Sequence, residues 1–515
     1  MAEKVINTLN IKKMTVTQKI QTKLNDSPVA RWGALIIVSM TMMIAYFFTD
    51  VMGPLEAPLI TKGKLVYFED GTYLSADSLM KISITPIHSE EEITVGNSYK
   101  ISFTDSEGNP ADKETAVTST INGLGWGGDD YGIFSGAYGY INVFLLMLFF
   151  GGLILDKMGV RFTGIMSTAL MFIGAAIKWY AVDNIFVGEI FGLPTQVVIA
   201  SLGFAIYGMG AEIAGITVTK VIAKWFTGHE MALAMGLQVA LARIGTAFAL
   251  FFALPIAQNF GKVSAPVMFG ASALCIGLLS YIVYCIMDKK LDASMANQQV
   301  NVESDEEQFK FSDLKAIFVN KGFWLITILC LIFYSAVFPF LKFATNLMII
   351  KYNVSPDLAG VIPGLLPFGT ILLTPLFGSM YDKLGKGATL MIIGSVLLTV
   401  VHILFAMPLL NVWWFAVIVM IILGVAFSLV PSAMWPSVPK IIPMKQLGSA
   451  YAIIFYIQNI GLSMVPVLIG NVIADNTANG TTDYTEPMLI FALFGVIFYR
   501  ESDESALELS GNADM

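Results

Sequence analysis

Gly152-Leu-Ile-Leu-Asp156-Lys157-Met-Gly159-Val-Arg161 and Gly378-Ser-Met-Tyr-Asp382-Lys383-Leu-Gly385-Lys386 are two versions of one phrase, set 226 residues apart in every matched position. Each follows a long apolar run and precedes another. In such a place glycines let two helices approach and turn, an aspartate can face a neighbouring helix N-terminus, and basic residues hold the loop on one side of a membrane. One copy is a weak signal. Two copies at equivalent places divide the chain into similar halves, the mark of a parallel internal repeat.

The runs flanking these loops read as membrane spans. Of the 515 residues 56% are hydrophobic and 13% charged, with a mean hydropathy of +0.71, where a soluble chain carries about 25% charged residues. A bilayer core about 30 Å thick takes about 20 apolar residues to cross as a helix. Eleven runs reach that length: 31–52, 131–154, 162–182, 195–219, 231–255, 264–287, 322–347, 355–380, 388–408, 412–434 and 447–473. A twelfth, Pro487–Tyr499, stops after 13 residues at Arg500, Glu501 and Asp503. Such a helix covers about 20 Å, so the last span either thins the membrane around it or lacks a part. Residues 1–30 are mixed polar, so no cleavable signal peptide is expected.

Basic residues set the orientation, because positive charge resists translocation. Lys4 to Arg31, Lys157 and Arg161, Lys220 and Lys224, Lys289 to Lys321, Lys383 and Lys386, Lys440 and Lys445, and Arg500 all fall on one side. The short loops of the other side hold Lys262, Lys342 and Lys351. Both termini are therefore expected in the cytoplasm, in the plasma (inner) membrane of a bacterium or the lysosomal membrane of a eukaryote. The expected organisation is a tail at 1–30, a six-helix bundle at 31–287, a linker at 288–320, a second six-helix bundle at 321–499 and a tail at 500–515. The first bundle carries an outer insertion, 54–130, with thirteen acidic and five basic residues, a net −8 equal to that of the whole chain. Within it Lys64–Phe68, Lys81–Ile87 and Ser98–Thr104 read as strands of a small β-rich domain where an accessory subunit could dock. In the linker, Asp288–Glu307 reads as flexible and Phe309–Asn320 as an interfacial amphipathic helix.

The paired loops resemble the signature loop of the major facilitator superfamily, and the resemblance covers the chain apart from the insertion, the linker and the tails. A finer resemblance, to the lysosomal dipeptide transporter branch of that superfamily, rests on longer stretches. These are Trp225-Phe-Thr-Gly-His-Glu with Gly236-Leu-Gln-Val-Ala-Leu-Ala-Arg243-Ile-Gly, Tyr334-Ser-Ala-Val-Phe-Pro-Phe340, and Trp435-Pro436 leading to Gln446-Leu-Gly-Ser-Ala-Tyr451 and Ile457-Gln-Asn-Ile-Gly-Leu462. The resemblance implies an all-α polytopic fold of two six-helix bundles, a substrate site near the midplane between them, and alternating access by rocking. It also implies that the positions matching Glu212 and Arg243 lie in the substrate cavity, and it favours movement of peptide without an obligatory proton.

Charges within spans are costly unless they face a cavity or a partner, so those present are functional candidates. Lys178 lies near the outer boundary beside Trp179 and Tyr180, and is expected to snorkel. Arg243 sits about 18 Å deep and needs an anion. Glu212, within Gly208-Met-Gly-Ala-Glu-Ile-Ala-Gly215 on the preceding helix, is the obvious one. Two arrangements stay open. The pair is a permanent buried salt bridge that fixes packing, or it is two seats, a carboxylate for a substrate ammonium and a guanidinium for a substrate carboxylate. Gln238, Tyr334, Phe338, Trp435, Gln458 and Asn459 are candidate contacts, with Trp435 and Gln458 preferred. Gly152, Asp156, Lys157, Gly159, Arg161, Gly378, Asp382, Lys383 and Gly385 form the conformational loops. Asp50 and His402 are further titratable groups, a lone membrane histidine being more often a packing residue.

The three cysteines, Cys275, Cys285 and Cys330, lie in apolar runs and read as buried hydrophobes, and no metal or cofactor is expected. The negative net charge disfavours nucleic acid, leaving a small-molecule substrate and the lipid bilayer as partners. No buried aspartate pair or Ser/His pair is placed for an intramembrane enzyme. A secondary transporter of dipeptides or similar zwitterions, by uniport, is the leading reading. A proton-coupled carrier of another organic ion or drug, and a sensor or scaffold acting through the insertion, are the alternatives.

Overall fold

The computed structural model describes residues 24–69, 72–75, 93–104, 110–226, 229–296, 317–384, 386–408, 410–442, 447–478 and 481–511. Among them ten helices are long and apolar enough to cross a membrane. Helices are what such runs must form, because hydrocarbon offers backbone amides no partner outside the segment itself. The first half contains α1 (Pro28–Asp50), a short α2 (Glu56–Ile60), α3 (Gly128–Gly136), α4 (Tyr140–Phe144), α5 (Met147–Asp183), α6 (Thr195–Phe226), α7 (Met231–Phe260) and α8 (Ser264–Ala296). The second contains α9 (Lys321–Tyr352), a short α10 (Pro356–Ala359), α11 (Val361–Leu384), α12 (Gly387–Ala406), α13 (Trp413–Ile441), α14 (Leu447–Asp475) and α15 (Thr485–Gly511).

The sequence repeat is visible in the packing. In the first half α1 lies against α7 and α8, and α5 against α8; in the second, α9 lies against α14 and α15, and α12 against α15. The two broadest contacts between the halves are also counterparts, α3 with α14 and α11 with α7. Both are backbone-close. A Cβ at Gly136 would overlap the Ser463 carbonyl of α14, and one at Gly360, between α10 and α11, would overlap the Leu250 carbonyl of α7. Glycine is required at both because only its missing side chain lets the chains approach this far.

The second span is not the single helix expected over 131–154. It is built from α3, a 3-10 turn (Ala137–Gly139), α4, a break at Leu146 with φ 51°, and the first turns of α5. Its insertion-side part follows the surface of α14 through glycines. The hydrophobic count registers none of this, because it measures length and not backbone path. At the other end of the chain α15 continues to Gly511, although only Thr485–Phe498 is apolar, so residues 500–511 are helical. Likewise α8 runs to Ala296, which makes 288–296 helix instead of linker. Residues 297–316, with most of the expected interfacial helix, lie outside the described residues, as do Lys81–Ile87 and Gly385.

The insertion holds a four-stranded antiparallel sheet in the order β2-β1-β4-β3, from β1 (Lys64–Phe68), β2 (Tyr73–Ser75), β3 (Ser98–Thr104) and β4 (Pro110–Asn122). Side chains alternate across a strand. Val66 and Phe68 pack with Tyr99, Ile101 and Val117 in a small cluster of their own, while Leu65, Tyr67 and Ile121 join the main core. The sheet is pinned to the first half by the bridge between Asn122 and Lys262, in the turn between α7 and α8, and by Trp126, whose Nε1 donates to Gln196 Oε1 of α6 at 3.0 Å.

The halves are latched on the insertion side. Asp50, 9% exposed at the end of α1, accepts from Lys342 Nζ of α9 at 2.6 Å and from Thr246 Oγ1 of α7 at 2.8 Å. Lys342 Nζ also donates to the Thr49 carbonyl, and the Tyr131 hydroxyl donates to the Lys342 carbonyl. Lys342 is thus a mid-helix residue and not the loop residue expected from sequence. Asp50→Asn leaves a buried ammonium without its anion, and Lys342→Met strands the carboxylate. Each should cost about 3 kcal/mol, the two together less than their sum. Thermal unfolding in detergent checks this; strictly additive losses would show that the pair contributes nothing.

On the opposite side Arg31 Nη2, at the start of α1, donates to both oxygens of Glu230 at 3.1 and 3.0 Å, just before α7. The Glu230 backbone N–H and then the Arg31 guanidinium hold this carboxyl below the ordinary glutamate range. A carboxyl depressed in the folded state stabilises above its unfolded pKa and loses that contribution as pH falls. Glu230→Gln should therefore lower the thermal midpoint near pH 7, with the gap to the unsubstituted protein closing below about pH 4. A gap that persists to pH 3 would exclude the carboxylate as its source.

Candidate substrate site

Glu212 lies mid-way along α6, and the small residues around it matter locally. At Gly208, one turn earlier, a Cβ would overlap the Tyr138 carbonyl, so the 3-10 turn of the second span packs directly on α6. Tyr138 then reaches Glu212, its hydroxyl donating to Oε1 at 2.9 Å. Oε2 takes no hydrogen bond among the described residues, and the side chain is only partly buried.

Arg243, on α7, is likewise partly buried. Its Cζ lies 5.2 Å from the Phe427 ring, 5.4 Å from Phe338 and 6.0 Å from Tyr46. Phe338 and Phe427 belong to α9 and α13, so the guanidinium of the first half is seated against rings of the second. Ring faces attract a cation without consuming its N–H donors. Among the described residues Arg243 forms no ion pair, with Glu212 or any other carboxylate. The two charges stand apart, Glu212 bonded to Tyr138 and Arg243 held against aromatic rings. Of the arrangements open from sequence, the structure displays separated groups and no salt bridge.

Three candidate contacts form one aromatic wall beside Arg243. Tyr334 stacks on Phe338 at 5.4 Å and 9°, Trp435 Nε1 donates to the Tyr334 hydroxyl at 3.0 Å, and Trp435 packs on Phe455 at 5.2 Å. Gln458 accepts from Cys330 Sγ at 3.4 Å and keeps part of its surface exposed. Asn459 is buried and donates to the Phe455 carbonyl of its own helix, while its Oδ1 has no partner among the described residues. Gln238 lies five residues before Arg243, about 140° around the helix, so the two do not share a face. Tyr46, Tyr138 and Phe427 are absent from the residues expected by sequence. Tyr138 carries a faint sign, a polar aromatic between Gly136 and Gly139.

The other charged candidates are committed elsewhere. Lys178 does not snorkel. It is 0% exposed, with Nζ 4.2, 4.4 and 5.2 Å from the rings of Phe204, Phe48 and Phe134 and 3.4 Å from the Phe48 carbonyl. The neighbouring Tyr180 takes the outward position, which turns Lys178 inward. His402 is sealed in the second half, Nδ1 2.9 Å from the Leu398 carbonyl and its ring 5.1 and 5.4 Å from those of Phe340 and Phe491.

In the two repeated loops the glycines divide. Gly159 has φ 75° and turns the chain within α5, whereas a Cβ at Gly152 or Gly378 would meet nothing within 4 Å. Arg161 joins Lys224 on a buried acid. Lys224 Nζ is 2.8 Å from Asp288 and 2.7 Å from Asp292, while Arg161 is 3.7 Å from Asp288 and 3.1 Å from Asp292. Asp156 and Asp382 sit within α5 and α11, and Lys157 and Lys383 point to solvent.

Comparison with known proteins agrees with this architecture. A family model described as Major Facilitator Superfamily matches residues 114–466. The chain is 28% identical to the lysosomal dipeptide transporter MFSD1 of Bos taurus over 346 residues, 65% of this chain and 69% of that one. Among solved structures it resembles a bacterial homolog of the human lysosomal transporter Spinster, in an inward-facing and unoccupied conformation, with a TM-score of 0.62 at 12% identity, covering 94% of this chain and 98% of that one. It also resembles the nucleoside transporter NupG, with a TM-score of 0.59 at 15% identity over 91% and 98% of the two chains. Membrane helices in two repeated halves, latched on one side around a pair of separated charges, belong to a secondary transporter and not an enzyme, and this chain belongs to the Major Facilitator Superfamily.

Proposed function

We propose that the chain moves dipeptides, or zwitterions of similar length, by uniport. The observation that carries this reading is a pair of partly exposed groups with bonding capacity left over among the described residues: a guanidinium with no acceptor, held over aromatic faces, and a carboxylate with one free oxygen, set apart on neighbouring helices. A ligand with an ammonium at one end and a carboxylate at the other satisfies both at once. Arg243 suits the carboxylate because its planar fork binds two oxygens together, which a lysine cannot do. The aromatic wall of Tyr334, Phe338 and Trp435 supplies apolar contact for side chains that vary between peptides. The relative named as a lysosomal dipeptide transporter supports this substrate class.

Uniport is supported by how two other titratable groups are used. His402 is enclosed by phenylalanines, and Asp50 is occupied by Lys342 and Thr246. The basic residues of the side opposite the insertion support a cytoplasmic placement of both termini, in a lysosomal or bacterial inner membrane. Of the separate domains expected from sequence, the insertion is the natural place for an accessory subunit.

Uptake of a labelled dipeptide into proteoliposomes tests the site. Loss of one charge-assisted contact removes about 1.5–3 kcal/mol, so Glu212→Gln and Arg243→Ala should each raise KM about ten- to a hundred-fold. Arg243→Lys should recover only part of the loss. Unchanged uptake in both Glu212→Gln and Arg243→Ala would refute the site. Uniport predicts that initial rates are the same with and without an imposed pH gradient, and acceleration by a gradient of either sign would replace it with proton coupling.

A further inference from the structure

Tyr138 is the one group that bonds the Glu212 carboxylate among the described residues, and it occupies a singular position. It stands on the 3-10 turn Ala137–Gly139 that interrupts the second span, and that turn touches both halves of the molecule. Towards α6 it is held by the close approach at Gly208 and by the packing of the Tyr138 ring against Phe204 at 5.6 Å and Tyr207 at 6.4 Å. Towards the other half, a Cβ at Gly139 would overlap Ser463 Oγ of α14 and lie 3.1 Å from the Asn459 carbonyl.

From this geometry we infer that Tyr138 is a positioning residue that selects for a free amine, holding Oε1 of Glu212 so that Oε2 is presented to the substrate ammonium, and that it ties this seat to closure of the halves. The inference rests on the reading of Glu212 as the amine seat. A carboxylate on a flexible side chain can turn either oxygen, or neither, towards a ligand. A hydroxyl fixed on one oxygen selects a single orientation and lowers the ordering cost of binding. Because the same three-residue turn lies against Ser463, movement of α14 away from the first half removes the support behind Tyr138. The amine seat is therefore formed in the insertion-side-closed state and loosened when that side opens.

The test compares a dipeptide bearing a free amino terminus with its N-acetylated form, in proteoliposomes, as a ratio of Vmax/KM. Tyr138→Phe keeps the ring and removes the hydroxyl. It should raise KM for the free-amine peptide about five- to ten-fold and leave uptake of the acetylated peptide unchanged. Equal losses for both peptides would make the hydroxyl merely structural and overturn the proposal. Glu212→Gln separates the two levels. If Glu212→Gln collapses the ratio and Tyr138→Phe does not move it, Glu212 remains the amine seat and the role of Tyr138 fails. If Glu212→Gln leaves the ratio intact, the amine-seat reading fails and takes the proposal with it. The tie to closure is read from Gly139→Ala, which should raise KM for the free-amine peptide, and from Gly139→Ala combined with Ser463→Ala, which removes the overlapping oxygen and should restore it. No change in Gly139→Ala, or no restoration in the pair, would overturn the tie.

Discussion

A charge inside a membrane protein must be paid for by a partner, a ring face or a cavity, and this constraint sorts the ionisable groups of the molecule. Asp50 and Lys342 answer it with each other, across the two halves. Lys178 answers it with a carbonyl and three aromatic faces, within one half. Asp288 answers it with two cations where the chain returns to water. Glu56, 1% exposed beside Tyr484, keeps one oxygen unpaired within the packed interior, whereas Arg243 and Glu212, both partly exposed, keep bonding capacity that a ligand can reach. The proposed binding site is thus defined by subtraction: it is where the protein has left electrostatic demand for another molecule to meet.

The division into halves is legible because a loop phrase recurs at a fixed interval, and a repeat in sequence becomes a repeat in packing. α1 with α7 and α9 with α14 are the same contact made twice. Arg243 and Glu212 are legible for a different reason. Depth within an apolar run can be counted along the chain, and a deep charge stands out whatever surrounds it. Tyr334, Phe338 and Trp435 can be named from their helices, and the structure packs them together.

What sequence does not show depends on direction and not on depth. Lys178 stands close to the end of its helix, but whether a lysine there rises to water or turns inward is decided by which face of that helix meets α1 and α6. Lys342 lies in plain view within an apolar run and yet reads as a loop residue, because nothing local announces that Asp50 waits almost three hundred residues earlier. The break in the second span has the same origin. Its glycines are obvious as letters, yet their purpose is set by Ser463 and its neighbours on a distant helix. Tyr46 and Phe427 look like ordinary core aromatics until Arg243 is placed between them.

The sheet of the insertion has a mechanical consequence. One of its faces merges with the main core, and its last strand is bridged to the turn between α7 and α8, so it is fastened to the first half like the arm of a balance. Whatever angle that half sweeps during a cycle is carried outward and magnified at the end of the sheet away from Asn122, where β3 pairs with Pro110–Ala116 of β4. The molecule therefore displays its internal motion on its exterior, as displacement of a folded body large enough to be grasped, braked or followed.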